Sequence, residues 1–370
     1  MREALIRPQA IAHNVQAIRQ ATSAAKTLVV VKAGGYGHGA VIAARAALEG
    51  GADWLGTADV DEALELREAG ITAPVLSWLF GPTDDLSVAL ENGIDVGVSS
   101  LGQLAQVVSQ ASPGTPVSPG TVARVHLKID TGLGRSGATP DQWAALCEAA
   151  AAAEGGGKVR VVGVFSHLSG ASAEADALQG AAFALACDQA RATGLDPELC
   201  HISASNATSN SPELASDMVR IGIAAYGVPV AGRFAGLGLR PAMRFSGQVV
   251  LTKRVSSGHG VGYGHTYRTT GEATLALVPL GYADGVPRHA SSAGPVVIGG
   301  RRFSVSGRVS MDQFSVDVGD HGVREGDWCV LWGDPAEGHP SVEEWAEAAG
   351  TIGYEMITRV GPRVPRVIER

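Results

Sequence analysis

Up to about residue 225 the sequence repeats one unit, a short apolar run of strand length followed by an alanine-rich stretch of helical period. The apolar runs fall at 27–32, 54–57, 74–78, 94–97, 123–129, 160–165, 199–203 and 217–221. Pro8 is placed to open a helix with Ile11, Val15 and Ile18 on one face, and Val60, Ala63 and Leu64 repeat the 3.6-residue period. Gly50-Gly51 and Gly70 read as helix stops. Eight such units predict an α/β fold built on a (β/α)8 barrel of the TIM type; an open doubly wound sheet is the other arrangement that the alternation allows.

Beyond Gly236 the texture changes. Alternating runs at 248–253, 273–279, 295–298, 303–305, 314–318 and 328–331 are punctuated by Gly and Asp, which predicts a β-rich second domain. One late helix is expected at 341–349, where Ser341 precedes Glu344 by three residues. The chain of 370 residues is longer than one core usually serves, so we expect a barrel over 9–235 and a second domain over 236–370, with residues 1–8 as candidates to pack with the latter. The Gly- and Ser-rich stretch 111–121 reads as a surface loop.

Charge and composition narrow the function. The net charge is −8 and no Lys/Arg run occurs, which argues against a nucleic-acid surface. No apolar stretch is long enough to cross a bilayer, and MREALIRPQAIAHN lacks the apolar region of a signal peptide, so a cytoplasmic location is expected. Cys147, Cys187, Cys200 and Cys329 form no CxxC pair and have no His at metal-ligand spacing; they read as free thiols. His259 and His265 lie in a Gly-rich loop, and no metal site is expected.

In a barrel, chemistry gathers at the C-terminal ends of the strands. Lys32 closes the first run, Lys128 lies near the end of the fifth, His167 follows the sixth, Asn206 the seventh, and Arg220 is at the end of the eighth. A lysine at the edge of an apolar layer loses part of its preference for the charged form, and a neutral amine can add to a carbonyl. VVVKAGGYGHG (29–39), HLKIDTGLGRSG (126–137), FSHLS (165–169) and DMVRIGIAAYG (217–227) are blocks of the barrel half. GYGHTY (262–267), PLGYADGVPR (279–288), GRVSMDQ (307–313) and TIGYE (351–355) are blocks of the other half.

Together these ordered blocks resemble the alanine racemase family, whose members are pyridoxal-phosphate-dependent isomerases. The resemblance implies interconversion of L- and D-alanine by two bases, a supply of D-alanine as a peptidoglycan precursor, and a homodimer with a shared active site. It implies that Lys32 carries pyridoxal 5'-phosphate and acts on one face of the substrate, with Tyr263 of a second subunit on the other. Arg220 would meet the pyridine nitrogen, and Tyr36, Asn206, Gly222, Ile223 and Tyr354 the phosphate. Arg135 and the backbone of Met311 would take the substrate carboxylate, Asp312 and Tyr282 would line the entrance, and Lys128 matches a lysine that is carbamylated in the family. A tyrosine acting as a base near neutrality needs a nearby cation, and we expect His167 and Arg220 to supply that field.

Three positions depart from the family pattern. Gly34-Gly35 stands where an Asn-Ala type pair is usual, which would loosen the turn before Tyr36; Ser205-Asn206 inverts an Asn-Ser order; Ser310 replaces a cysteine. Gly132-x-Gly134-x-x-Gly137 formally matches a dinucleotide fingerprint, but it follows the fifth strand rather than opening the fold. The competing readings are a broad-specificity or serine racemase, a decarboxylase of related fold, a barrel that only carries the cofactor, and a nicotinamide oxidoreductase. Arg220 weighs against the decarboxylase, which needs an acidic partner on the ring nitrogen.

Overall fold

The computed structural model describes residues 1–111 and 122–369, so most of the loop expected at 111–121 lies outside the described residues. The strands are β1 (Arg2–Ile6), β2 (Lys26–Val30), β3 (Trp54–Asp59), β4 (Val75–Leu79), β5 (Ile94–Val98), β6 (Ala123–Lys128), β7 (Val159–Phe165), β8 (Leu199–His201) and β9 (Met218–Ile221). They continue as β10 (Met243–Gln248), β11 (Leu251–Val255), β12 (Gly260–Val261), β13 (Tyr267–Arg268), β14 (Ala273–Val278), β15 (Pro295–Ile298), β16 (Arg301–Ser306), β17 (Phe314–Gly319), β18 (Trp328–Trp332) and β19 (Arg366–Ile368).

Strands β2 to β9 are parallel in the order β8-β7-β6-β5-β4-β3-β2-β9. A bridge between Ala204 and Arg220, with Arg220 N–H donating to Ser203 O at 3.0 Å, joins the two ends, so the eight strands form a nearly closed barrel. These strands are buried on both faces, which is why they read as unbroken apolar runs; β5 has no exposed residue. Helices cover the outside. Pro8–Ala21 starts on its proline and buries Ile11, Val15 and Ile18, and Val60–Glu68 is capped by Asp59. The open doubly wound sheet is thereby excluded.

The second sheet has nine strands in the order β11-β14-β17-β16-β15-β18-β10-β1-β19. The first strand of the chain thus belongs to it, antiparallel to β10 and parallel to β19. The run expected at 248–253 is not one strand. The chain changes partner there: Val249 N–H donates to Asp327 O and Val250 N–H to Leu277 O, ending β10 against β18 and starting β11 against β14. The late helix is Val342–Ala349, with the reciprocal Ser341–Glu344 cap. Among the described residues, no helix is long and apolar enough to cross a membrane and no cluster of His, Cys, Asp or Glu could hold a metal ion.

Candidate active site

The first barrel strand stops at Val30, so Lys32 does not end it but opens the turn beyond. That turn is left-handed. Ala33, Gly34, Gly35 and Tyr36 have φ of 53°, 60°, 62° and 50°. Each non-glycine residue in this conformation is disfavoured by its Cβ, and the glycine pair removes that cost at the two central positions. Gly34-Gly35 therefore suits the turn instead of loosening it. Both oxygens of Glu62 hold the start of the turn, accepting from Ala33 N at 2.6 Å and Ala58 N at 2.8 Å. Arg366 fastens its far end, donating from Nε to Gly37 O at 2.9 Å. The Lys32 amine lies 5.6 Å from the centre of the Trp78 ring. Burial, then Arg135, push its pKa down against the opposing pull of Glu62.

Tyr36, four residues on, is buried and stacks on Tyr226 with centroids 4.8 Å apart. Tyr226 is fixed in turn by its hydroxyl, which donates to Val30 O at 2.9 Å. The Tyr354 ring centroid lies 6.5 Å from that of Tyr36. The Tyr36 hydroxyl meets the backbone after β9: a Cβ on Gly222 would stand 2.4 Å from it. Gly222 precedes the short 3-10 turn Ile223–Tyr226, whose first N–H groups have no carbonyl of their own turn to meet. Gly222 N–H itself donates to Ser205 Oγ at 3.0 Å. Ser205 is buried, whereas the exposed Asn206 side chain accepts from Asn210 one helical turn on. The structure thus brings Ser205, not Asn206, to Gly222.

Arg220 is buried on β9, and the four hydrogens of its two terminal nitrogens are shared among five acceptors: Ser166 O (2.7 Å), His201 O (2.8 Å), Ile202 O (2.9 Å), His201 Nδ1 (2.8 Å) and His167 Nδ1 (3.2 Å). Burial and Arg135 push its pKa down to about 9, which leaves it charged near neutrality. No carboxylate pairs with it among the described residues. His167 is pushed down to about 3 by burial and then by Arg220. It is a neutral ring and adds no positive charge, whereas Arg220 stays charged near neutrality. Lys128 is buried, donates to Ser136 Oγ at 2.7 Å and lies 5.2 Å from the Phe165 ring centre; burial, then Arg220, push it down to about 8. Arg135 is exposed and makes no ion pair among the described residues.

Tyr263 lies between β12 and β13, 71% exposed, with no hydrogen bond or ring contact among the described residues. Met311 is 56% exposed, and Tyr282 and Asp312 are exposed beside it. Their two loops are zipped together: Tyr282 N–H donates to Ser310 O at 3.0 Å and Ala283 N–H to Met311 O at 2.8 Å. Three further residues enter the site that the sequence reading did not single out, Glu62, Tyr226 and His201, and Ser205 takes the place given to Asn206. A carboxylate one helical turn past an Asp cap was a weak signal. A histidine in an apolar strand was a stronger one.

A lysine amine with a lowered pKa, a charged guanidinium held by carbonyls, and a glycine cradle edged by hydroxyls fit a pyridoxal phosphate: the amine for its aldehyde, the guanidinium for its ring nitrogen, the cradle for its phosphate.

A nearly closed eight-stranded parallel barrel with this rim, joined to a mostly β second domain, is the architecture of a barrel enzyme with its polar groups gathered at the strand ends. Residues 6–229 match the alanine racemase N-terminal domain family and residues 242–368 the alanine racemase C-terminal domain family. The chain belongs to the alanine racemase family. It is 51% identical to an alanine racemase of Salinispora arenicola over 96% of this chain and 95% of that one. It is 48% identical to one of Frankia casuarinae over 98% and 95%. The crystal structure of alanine racemase from D-cycloserine-producing Streptomyces lavendulae superposes with a TM-score of 0.95 at 46% identity, over 100% of this chain and 97% of that one. That of Bacillus anthracis, with bound L-Ala-P, does so with a TM-score of 0.90 at 33% identity, over 100% and 95%.

Proposed function

We propose that the protein interconverts L- and D-alanine with pyridoxal 5'-phosphate held on Lys32. The observation that carries this reading is the placement on one barrel rim of Lys32, with a lowered amine, and Arg220, a guanidinium that stays protonated near neutrality. The solved relatives with bound L-Ala-P and with cycloserine support a small amino acid as ligand. When bound, the cofactor delocalises the electron pair left at the substrate Cα as its proton departs.

The chain's own residues do the rest. Lys32 moves the proton on one face through Nζ. Tyr263 holds it on the other through its phenolic oxygen, from a second copy of the chain; its exposure, with no hydrogen bond or ring contact among the described residues, favours that homodimer. Tyr36, Ser205 and the N–H of Ile223 grip the phosphate, with Gly222 leaving room for it, Tyr354 at its edge and Asn206 beyond. Arg220 donates to the ring nitrogen without protonating it, which favours proton return over side reactions. Arg135 and Met311 N–H orient the substrate carboxylate, and Asp312 and Tyr282 border the entrance. The Lys128 amine, lowered by burial, is available to add to carbon dioxide: the N–C bond forms, the proton leaves to water, and the resulting anion pairs with Arg135. We assign residues 9–235 to the barrel, and residues 236–370 with the first strand to the second domain, and place the enzyme in the cytoplasm as a supplier of D-alanine for peptidoglycan. Chiral analysis of the purified, cofactor-loaded protein with a panel of amino acids tests this; alanine should be racemised fastest, and no exchange at alanine Cα would overturn it.

A further inference from the structure

Arginine offers five N–H donors and no acceptor, and in this barrel that fixes a direction. Arg220 Nη1 sits 2.8 Å from His201 Nδ1, so that nitrogen must be the bare one and the ring carries its proton on Nε2. His201 Nε2 lies 3.0 Å from His126 Nδ1, which must therefore accept, placing the His126 proton on Nε2. That nitrogen is 3.3 Å from Asp95 Oδ2. The other Asp95 oxygen accepts from Arg124 Nε at 2.8 Å.

The line descends through the barrel, from Arg220 and His201 near the ends of β9 and β8, past His126 within β6, to Asp95 near the start of β5. His201, His126 and Asp95 are each 1% exposed or less. The surroundings are shaped to it. A Cβ at Gly163 would lie 2.4 Å from His126 Nδ1. Phe165 stacks on His201 at 5.1 Å and 6°, and Trp54 meets His126 edge-on at 5.5 Å.

We propose that Asp95 is a positioning residue for Arg220: from the far end of the barrel it dictates on which nitrogen His126 and His201 carry their protons, and so keeps a bare nitrogen facing the guanidinium. The opposite proton placement would set two donors against each other at Arg220. The idea deepens the racemase reading, and it rests on that reading only where activity is the readout.

Asp95→Asn makes the argument sharp. The Arg124 N–H needs an acceptor, so the amide oxygen turns to it and the amide NH2 faces His126 Nε2. Two donors then collide somewhere along the line, at Arg220 itself if both imidazoles shift their protons to Nδ1. Adding Arg124→Ala frees the amide to rotate and present its oxygen to His126 again. The test is 15N NMR of histidine-labelled, cofactor-loaded protein, with alanine racemisation measured in parallel. In the unsubstituted protein both Nδ1 atoms should give the signal of an unprotonated ring nitrogen. In Asp95→Asn at least one imidazole should change its proton, and kcat/KM should fall about ten- to a hundredfold, the effect of one hydrogen bond to a charged group. Asp95→Asn/Arg124→Ala should recover both. A proton on Nδ1 of either ring in the unsubstituted protein overturns the proposal, as does Asp95→Asn with unchanged ring signals, or a double variant as slow as the single one. If Asp95→Asn does not fold, the signals of the unsubstituted protein decide. If that protein fails to racemise alanine, the functional reading falls while the ring signals still judge the line.

Discussion

Exchanging Gly34 and Gly35 for alanine, one at a time, separates two costs built into the turn that carries Lys32. Both glycines are left-handed, with φ of 60° and 62°. An alanine there costs about 1–2 kcal/mol in conformation, offset by about 0.4–1 kcal/mol because the unfolded chain becomes stiffer. At Gly34 the added methyl meets nothing within 4 Å, so Gly34→Ala should lose about 1 kcal/mol. At Gly35 it would stand 2.8 Å from the Cβ of Ala43 and 3.4 Å from the backbone of Ala40. Ala43 is fully packed on the helix Ala40–Glu49 and has no rotamer with which to withdraw. Overpacking of this kind adds about 1–3 kcal/mol, so Gly35→Ala should lose about 2–4 kcal/mol in all. Urea unfolding followed by tryptophan fluorescence reads both, as a shift of midpoint at constant slope. Equal losses in the two variants would refute the packing argument, and no loss in either would refute the left-handed turn.

Other substitutions probe the chemistry. Lys32→Ala should abolish covalent cofactor attachment and all racemisation, seen by mass spectrometry and chiral assay; retained attachment would show that another amine carries the cofactor. Tyr263→Phe should slow proton exchange from one enantiomer far more than from the other in single turnovers, and equal slowing would contradict a two-sided arrangement. The Lys128 amine, at about 8 in the fold against 10.5 free, binds fewer protons folded than unfolded between those values. In carbon-dioxide-free buffer the fold should therefore gain stability as pH rises from about 8 to about 10.5. Lys128→Met should flatten that slope; an identical pH profile in both proteins would show that the amine is not buried as described.

Much of this was legible in the sequence because burial on both faces of a barrel strand leaves an unmistakable apolar run. The strands around Leu28, Leu55 and Val96 follow directly from that. Where two strands meet end to end under one alternating pattern, as at Val249, the sequence has no mark for the change of partner. The turn that carries Lys32 is tied at its ends by Glu62 and Arg366, which lie far along the chain. On the short helix Ser205–Asn210 a single residue of phase decides which side chain turns inward, and that separates Ser205 from Asn206. The interior line was announced more openly: Arg124, His126 and Lys128 are polar at every second position of β6, one face of an otherwise apolar strand.

Strand β1 is made before the barrel strands and paired only after them. Its antiparallel neighbour starts at Met243 and its parallel one at Arg366. On the ribosome the barrel segment can emerge and close while Arg2–Ile6 still has both edges bare. The nascent protein thus holds an open strand while the whole barrel is made, and the edge that meets β19 stays bare until Arg366–Ile368 has emerged. Anything that shields that strand during elongation should raise the yield of native enzyme.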